Sequence, residues 1–351
     1  MFKQTVRIQY DKIHRKRRLF FTGTFMLLIL LFIVGFVTGP GALPLSDLAG
    51  ATDEAKELQK RVLLTIRLPR LLAAVISGMA LAVSGVIMQS VLRNPLGSPF
   101  TLGISNAAAF GASLAITLPS LTGFIPASMQ ALVIPLSAFA WSLAACFFIL
   151  SLSKQRNASP VVMVLAGIIA STLFAALTSA LQFFADDARL ASIVYWSFGD
   201  LSKGSWKDIY LQISIVLPVT GYFIYNARHF NALNQGDDTA QSLGLNVKRF
   251  RLTGMILASL VTASIVSVYG LIAFVGLVIP HIVRRIIGGN EIYLIPAVAT
   301  AGAAFLLLCD IVSRTVLSPV SLPVGIVTSV IGAPVFLFLM IRSKTFYQWR
   351  S

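Results

Sequence analysis

Ten runs of about 20 apolar residues recur along the chain, near 19–38, 71–92, 97–118, 130–150, 160–184, 208–226, 252–269, 271–287, 294–313 and 324–341. A helix of that length crosses a bilayer hydrocarbon core about 30 Å thick. The charged fraction is only 12% of 351 residues, against about 25% in soluble domains. A chain so poor in charge cannot bury all its apolar surface in one water-soluble core, so lipid must be its main solvent. The seventh and eighth runs are separated only by Tyr269-Gly270, which leaves room for one of them to be broken or re-entrant.

Orientation follows from the connections. With the amino terminus in the cytoplasm, the inner segments carry 19 Lys and Arg against four Asp and Glu, and the outer segments carry nine against nine. The net charge of +15 is therefore a topology signal, not a nucleic-acid face. Residues 1–18 form a basic cytoplasmic tail. The run that follows exceeds the roughly 7–15 residues of a signal-peptide core, so it is read as a retained first helix. Residues 19–341 form one transmembrane domain, and 342–351 a short cytoplasmic tail.

Few side chains offer chemistry. Cys146 and Cys309 lie inside apolar runs and read as packing residues. His14, His229 and His281 are far apart, no metal spacing is present, and no nucleophile and base stand together as a membrane-embedded enzyme would need. Neither a phosphate-binding loop nor a dinucleotide loop occurs, so any ATP hydrolysis must come from another subunit. Intramembrane acids are nearly absent, which counts against an ion-coupled carrier. Asp310 is the one acid within an apolar run, and Arg314 one turn later suits a local ion pair.

Four segments stand out. Arg67 and Arg70, three apart around Pro69 at an outer helix end, project in one direction. They are either snorkelling anchors or a cationic socket for carboxylates of an extracytoplasmic partner. Asn94-Pro95-Leu96-Gly97-Ser98-Pro99 predicts a rigid inner turn. In 270–284, Gly276 precedes a Pro280 kink, and His281 lies near the cytoplasmic end. The inner connection 227–251 contains Asp238-Thr239-Ala240-Gln241-Ser242-Leu243-Gly244-Leu245. It predicts a short helix with Ala240, Leu243 and Leu245 as an apolar face and Gly244 as its stop, either a docking element or an ordinary surface helix. Helices 2–5 and 7–10 form two blocks starting in opposite directions, which suits an inverted repeat, although their sequence likeness is faint.

These motifs, in their order, carry a resemblance. Arg67-Leu68-Pro69-Arg70, Ser84-Gly85-Val86-Ile87-Met88-Gln89, Arg93-Asn94-Pro95-Leu96-Gly97-Ser98-Pro99 and Leu102-Gly103-Ile104-Ser105 resemble the first signature of the FecCD family, permeases for iron-siderophore, haem and vitamin B12 uptake. Residues 270–284 resemble its second signature. Asp310-Ile311-Val312-Ser313-Arg314, Leu322-Pro323-Val324-Gly325-Ile326-Val327-Thr328 and Gly332-Ala333-Pro334-Val335-Phe336 resemble its third. The likeness runs from about 61 to 341 and omits the basic tail.

The resemblance implies an all-α bundle of ten transmembrane helices, similar to the vitamin B12 permease of type II ABC importers, in a prokaryotic cytoplasmic membrane. It implies a pair with a second permease subunit, itself or a homologue, two ATP-binding cassette subunits below, and an extracytoplasmic siderophore-binding protein above. Membrane lipid surrounds such a bundle, and no nucleic acid is a partner. Arg67, Arg70 and Arg314 match arginines that face acidic residues of the binding protein. Asp238, Ala240, Leu243, Gly244 and Leu245 match the segment that couples to the ATPase. Asn94, Pro95, Gly276, Pro280 and His281 belong to structural motifs. No cofactor, metal or catalytic residue is implied. An iron-siderophore is the favoured cargo, with haem or a corrinoid as alternatives and an ion-coupled secondary transporter as a further one.

Overall fold

The computed structural model describes residues 2–38, 52–118, 127–154 and 159–342. Residues 39–51 of the first outer connection and 343–351 of the carboxyl-terminal tail lie outside the described residues.

Each of the ten apolar runs is a helix. In chain order these are α1 (Phe2–Val37), α3 (Leu68–Leu92), α4 (Ile104–Thr117), α5 (Val133–Lys154), α6 (Pro160–Phe184), α8 (Trp206–Tyr225), α11 (Val247–Tyr269), α12 (Val275–Ile287), α13 (Glu291–Thr315) and α14 (Val324–Arg342). Four shorter helices lie in the connections: α2 (Asp53–Arg61), α7 (Asp187–Ser197), α9 (Ala227–Gln235) and α10 (Asp237–Ser242). Eight of the ten apolar helices are long enough to cross a bilayer. The basic segment 2–18 is not a separate tail but the first half of α1.

The second half of the first outer connection is also helical. From Asp53 the chain coils through α2 and a widened turn at Val62–Arg67 straight into α3. Pro69 explains the widening, because it has no N–H to offer the carbonyls of the preceding turn. The Trp206 indole donates to one of them, the Leu64 carbonyl, at 3.1 Å.

The two short apolar helices occupy matching places. α3 ends at Arg93 in the left-handed region (φ 46°), and α4 starts from Gly103 (φ 75°). α11 ends at Gly270 (φ 79°), and α12 starts from Phe274 (φ 67°). Each pair is a full helix, a non-helical stretch and a half-length helix. The same break, entered from opposite membrane faces, is what an inverted repeat produces. Irregular backbone at membrane depth requires shelter by protein, and Ser98, Leu102 and Ile272 of these stretches are buried. A small crevice between the breaks is lined by Leu81, Ser98, Phe100, Ser105, Ala273 and Phe274.

The core is built around α3, α11 and α13. Nearly every residue of α3 from Pro69 to Leu92 is buried. Glycines allow this close approach: a Cβ on Gly78 would collide with the Gly302 carbonyl, and one on Gly85 with the Gly276 carbonyl. Pro280, four residues on, has no N–H for that Gly276 carbonyl, which abuts Gly85 instead. α1 lies at the periphery, with Phe25, Met26, Leu30 and Ile33 exposed, as befits a surface solvated by acyl chains.

Candidate functional site

Polar side chains gather at the two ends of the bundle. At the outer end Asp310, wholly buried on α13, is held from two sides. Arg70 Nε donates to its Oδ1 at 2.7 Å, and Arg314 Nε to its Oδ2 at 2.9 Å. Arg70 also reaches Ser313 Oγ at 3.3 Å. The remaining donors close the end of α1. Arg314 Nη1 reaches the Gly35 and Thr38 carbonyls at 3.3 and 3.1 Å, and Arg67 Nη1 the Phe36 and Val37 carbonyls at 3.1 and 3.3 Å. The last carbonyls of a helix lack internal donors and carry partial negative charge, so guanidinium groups suit them.

The structure thus brings Arg67, Arg70 and Arg314 together, and the local ion pair of Asp310 and Arg314 is present. All three arginines are less than 9% exposed, and the hydrogen bonds above point inward. Three cations around one carboxylate leave this cluster with a local charge of +2, on an outer side whose basic and acidic residues balance in total.

The inner end contains the connection 227–251. α10 has only six residues. It closes in a Schellman turn: the Gly244 N–H donates to the Gln241 carbonyl at 2.8 Å, and the Leu245 N–H to the Ala240 carbonyl at 3.1 Å. Gly244 (φ 82°) is the stop its type suggests. The single apolar face does not form. Ala240 is buried, Leu243 is 71% exposed, and Leu245 is half-buried beyond the turn. The helix ends at Ser242, so the spacing of a longer helix does not extend to Leu245. Asp238 and Leu243 are exposed at the inner surface.

Two buried knots tie this segment to the bundle. Arg251, 1% exposed, donates from Nη1 and Nη2 to Asp237 at 3.1 and 2.8 Å and from Nε to the Val91 carbonyl at 3.0 Å. One side chain on α11 therefore joins the start of α10 to the end of α3. The second knot centres on Glu291, fully buried at the start of α13. Its Oε1 accepts from Ser90 and Asn234, each at 3.0 Å, and from Arg284 at 3.4 Å. Its backbone N–H donates to Asn231 at 2.8 Å. Oε2 of Glu291 and Oδ1 of Asn234 have no hydrogen-bond partner among the described residues.

The sequence reading missed both knots. It counted Asp237, Arg251, Arg284 and Glu291 as connection charges and did not weigh Ser90 or Asn234. A usable signal was the placement of Ser90 and Arg251 at the inner ends of otherwise apolar runs.

The structural motifs fall between these ends. Asn94 forms the expected turn, its Oδ1 accepting from the Leu96 N–H at 2.9 Å. Pro280 is buried within α12, and His281 sets its ring edge-on to Phe336, with centroids 6.2 Å apart.

Residues 27–342 match the model of the FecCD transport family. A protein of Methanocaldococcus jannaschii described as an ABC transporter permease is 44% identical over 95% of this chain and 97% of its own length. The hemin transport system permease protein of Yersinia pestis is 37% identical over 91% of this chain and 95% of its own. A solved structure, described as a metal-chelate type ABC transporter in an inward-facing conformation, superposes with a TM-score of 0.82 at 30% identity, covering 93% of this chain and 99% of that one.

Proposed function

The chain belongs to the FecCD transport family and is a multi-pass permease subunit of an ABC importer; from that premise we propose that it carries an iron-siderophore complex inward across the cytoplasmic membrane. In this reading the ATP is hydrolysed by two partner cassette subunits docked at the inner end. A second permease subunit completes the path, and an extracytoplasmic binding protein delivers the cargo to the outer end. The metal-chelate transporter of similar structure supports the cargo class. The similarity to a hemin permease favours haem as the second reading.

The observation that carries the coupling role is the contact of Arg251 with Asp237 and Val91. Asp238, Ala240, Leu243, Gly244 and Leu245 sit on or beside a short helix that exposes Leu243. That helix is linked by a buried charged side chain to the ends of α3 and α11. A push on α10 is therefore delivered to two core helices. Alternating access then follows when cassette closure moves α10 and the helices tilt.

For docking, the local positive charge of the Arg67–Arg70–Arg314 cluster attracts a partner bearing carboxylates, with an ionic-strength-sensitive on-rate. Replacing Arg67→Glu leaves the Arg70–Asp310–Arg314 cluster in place. Surface plasmon resonance is expected to show about tenfold weaker capture of the binding protein at low salt. Unchanged capture removes the docking role. The cargo is tested on the binding protein itself, titrated with ferric siderophores, hemin and a corrinoid. Binding of hemin alone replaces the siderophore reading with the second one.

A further inference from the structure

The basic amino-terminal half of α1 has no part in the coupling or docking described above. Its position relative to the bilayer can be read from its contacts. Arg17 Nε donates to the Ile287 carbonyl, the last of α12, at 3.3 Å. The Arg17 guanidinium lies 4.0 Å above the Tyr293 ring, and His14 meets that ring edge-on at 6.1 Å. Ile287 and Tyr293 flank the turn where α12 and α13 meet at the inner face. Residues 14–18 therefore lie at the depth where the hydrocarbon ends. At 1.5 Å per residue they span about 6 Å, close to the thickness of one headgroup layer.

With Arg17 turned inward, Arg15, Lys16 and Arg18 are exposed. Asp11, one turn before Arg15, is the one acid on α1 and leaves the segment strongly basic. Above the cations most of α1 is exposed, and Leu19, Met26, Leu30 and Ile33 lie at helical spacing from Arg15 as an apolar stripe interrupted only by Thr22. A stripe ending in a cationic cluster is complementary to one molecule type in particular, a chain-bearing lipid with an anionic head.

We propose that the inner half of α1 is a binding site for an anionic phospholipid, its phosphate held by Arg15, Lys16 and Arg18 and its acyl chains lying along Leu19, Met26, Leu30 and Ile33. A peptide partner would satisfy the cations but not the stripe. A headgroup bound there braces α1 against the α12–α13 turn through Arg17.

The test uses the full chain in non-ionic detergent, without cassette or binding-protein subunits, so its outcome is independent of the transport reading. Phosphatidylglycerol, phosphatidylcholine and inorganic phosphate are titrated separately, and retention is read by mass spectrometry of the intact protein. The native chain is expected to retain phosphatidylglycerol over phosphatidylcholine. The variant Arg15→Gln/Lys16→Gln/Arg18→Gln should lose about fivefold in affinity per cation removed. The Lys154→Gln/Arg342→Gln variant, which neutralises two other exposed inner cations, should keep the native affinity. Added salt should weaken retention by the native chain, a readout that needs no variant. Native affinity in the triple variant, equal retention of phosphatidylcholine, displacement by inorganic phosphate beyond that caused by sodium chloride of equal ionic strength, or an equal loss in the double variant overturns the site.

Discussion

The two polar clusters at the ends of α13 are built from the same materials and satisfied to different degrees. At the outer end both oxygens of Asp310 are taken by arginines, and the spare donors of Arg67 and Arg314 close the end of α1. At the inner end Glu291 is equally buried but uses one oxygen, shared by two neutral donors and one arginine at 3.4 Å, while Oε2 has no hydrogen-bond partner among the described residues. The outer cluster joins transmembrane helices to one another. The inner one joins transmembrane helices to the short α9, which leads directly into α10. A fully paired buried charge resists rearrangement, because every lost contact exposes an ion to low dielectric. A half-paired one has fewer contacts to lose when its surroundings move. The bundle is thus clamped at its outer end and jointed at its inner end.

The largest expected effect tests the clamp. Asp310→Asn leaves the Arg70 and Arg314 guanidinium groups buried without their countercharge. Breaking a buried pair in this way costs about 3–5 kcal/mol. The thermal unfolding midpoint in detergent should fall sharply, and membrane yield with it. A variant as stable as the native chain would show that the outer cluster is no more of a clamp than the inner one.

Next comes the joint. Arg251→Met keeps the apolar stem but removes the link from Asp237 to the Val91 carbonyl. Because Asp237 is partly exposed, the stability loss is smaller, about 1–3 kcal/mol. The functional loss should be the greater part: in the assembled complex, cargo uptake falls about tenfold or more while ATP hydrolysis persists. Parallel loss of both activities would indicate failed assembly rather than failed transmission.

Much of this arrangement was legible in the sequence, and the remainder was hidden for a physical reason. Bilayer thickness imposes a length on each apolar run, so all ten helices could be placed from hydropathy. The cue at Tyr269-Gly270 correctly marked a broken region. The matching break at Arg93–Gly103 was harder to see, because its buried residues Ser98 and Leu102 lie in the apolar run 97–118, which hydropathy reads as continuous helix. Asp310 and Arg314 were readable as a pair because they are one helical turn apart. Arg251 with Val91, or Glu291 with Ser90 and Asn234, join residues 57 to 201 positions apart. No local periodicity reports such a contact. The helical extension of α1 through residues 2–18 was missed because a run of basic residues signals topology without signalling conformation.

The smallest effect gives the sharpest contrast. Glu291→Gln is the counterpart of Asp310→Asn, an acid replaced by its amide at a fully buried site on the same helix. Here the amide oxygen can still accept from Ser90, Asn234 and Arg284, while the new NH2 lies where Oε2 lacked a donor, with Asn234 Oδ1 as an acceptor in the same knot. One charge-assisted bond to Arg284, already long at 3.4 Å, is weakened, and a buried charge is removed. These changes oppose each other, so the net stability change should stay within about 1 kcal/mol. Paired unfolding curves for the two variants measure the difference directly. A cost at Glu291 equal to that at Asp310 would mean that the inner carboxylate is as fully engaged as the outer one. The clamp and the joint would then be the same kind of contact, and the inner end would have no more freedom to follow α10 than the outer.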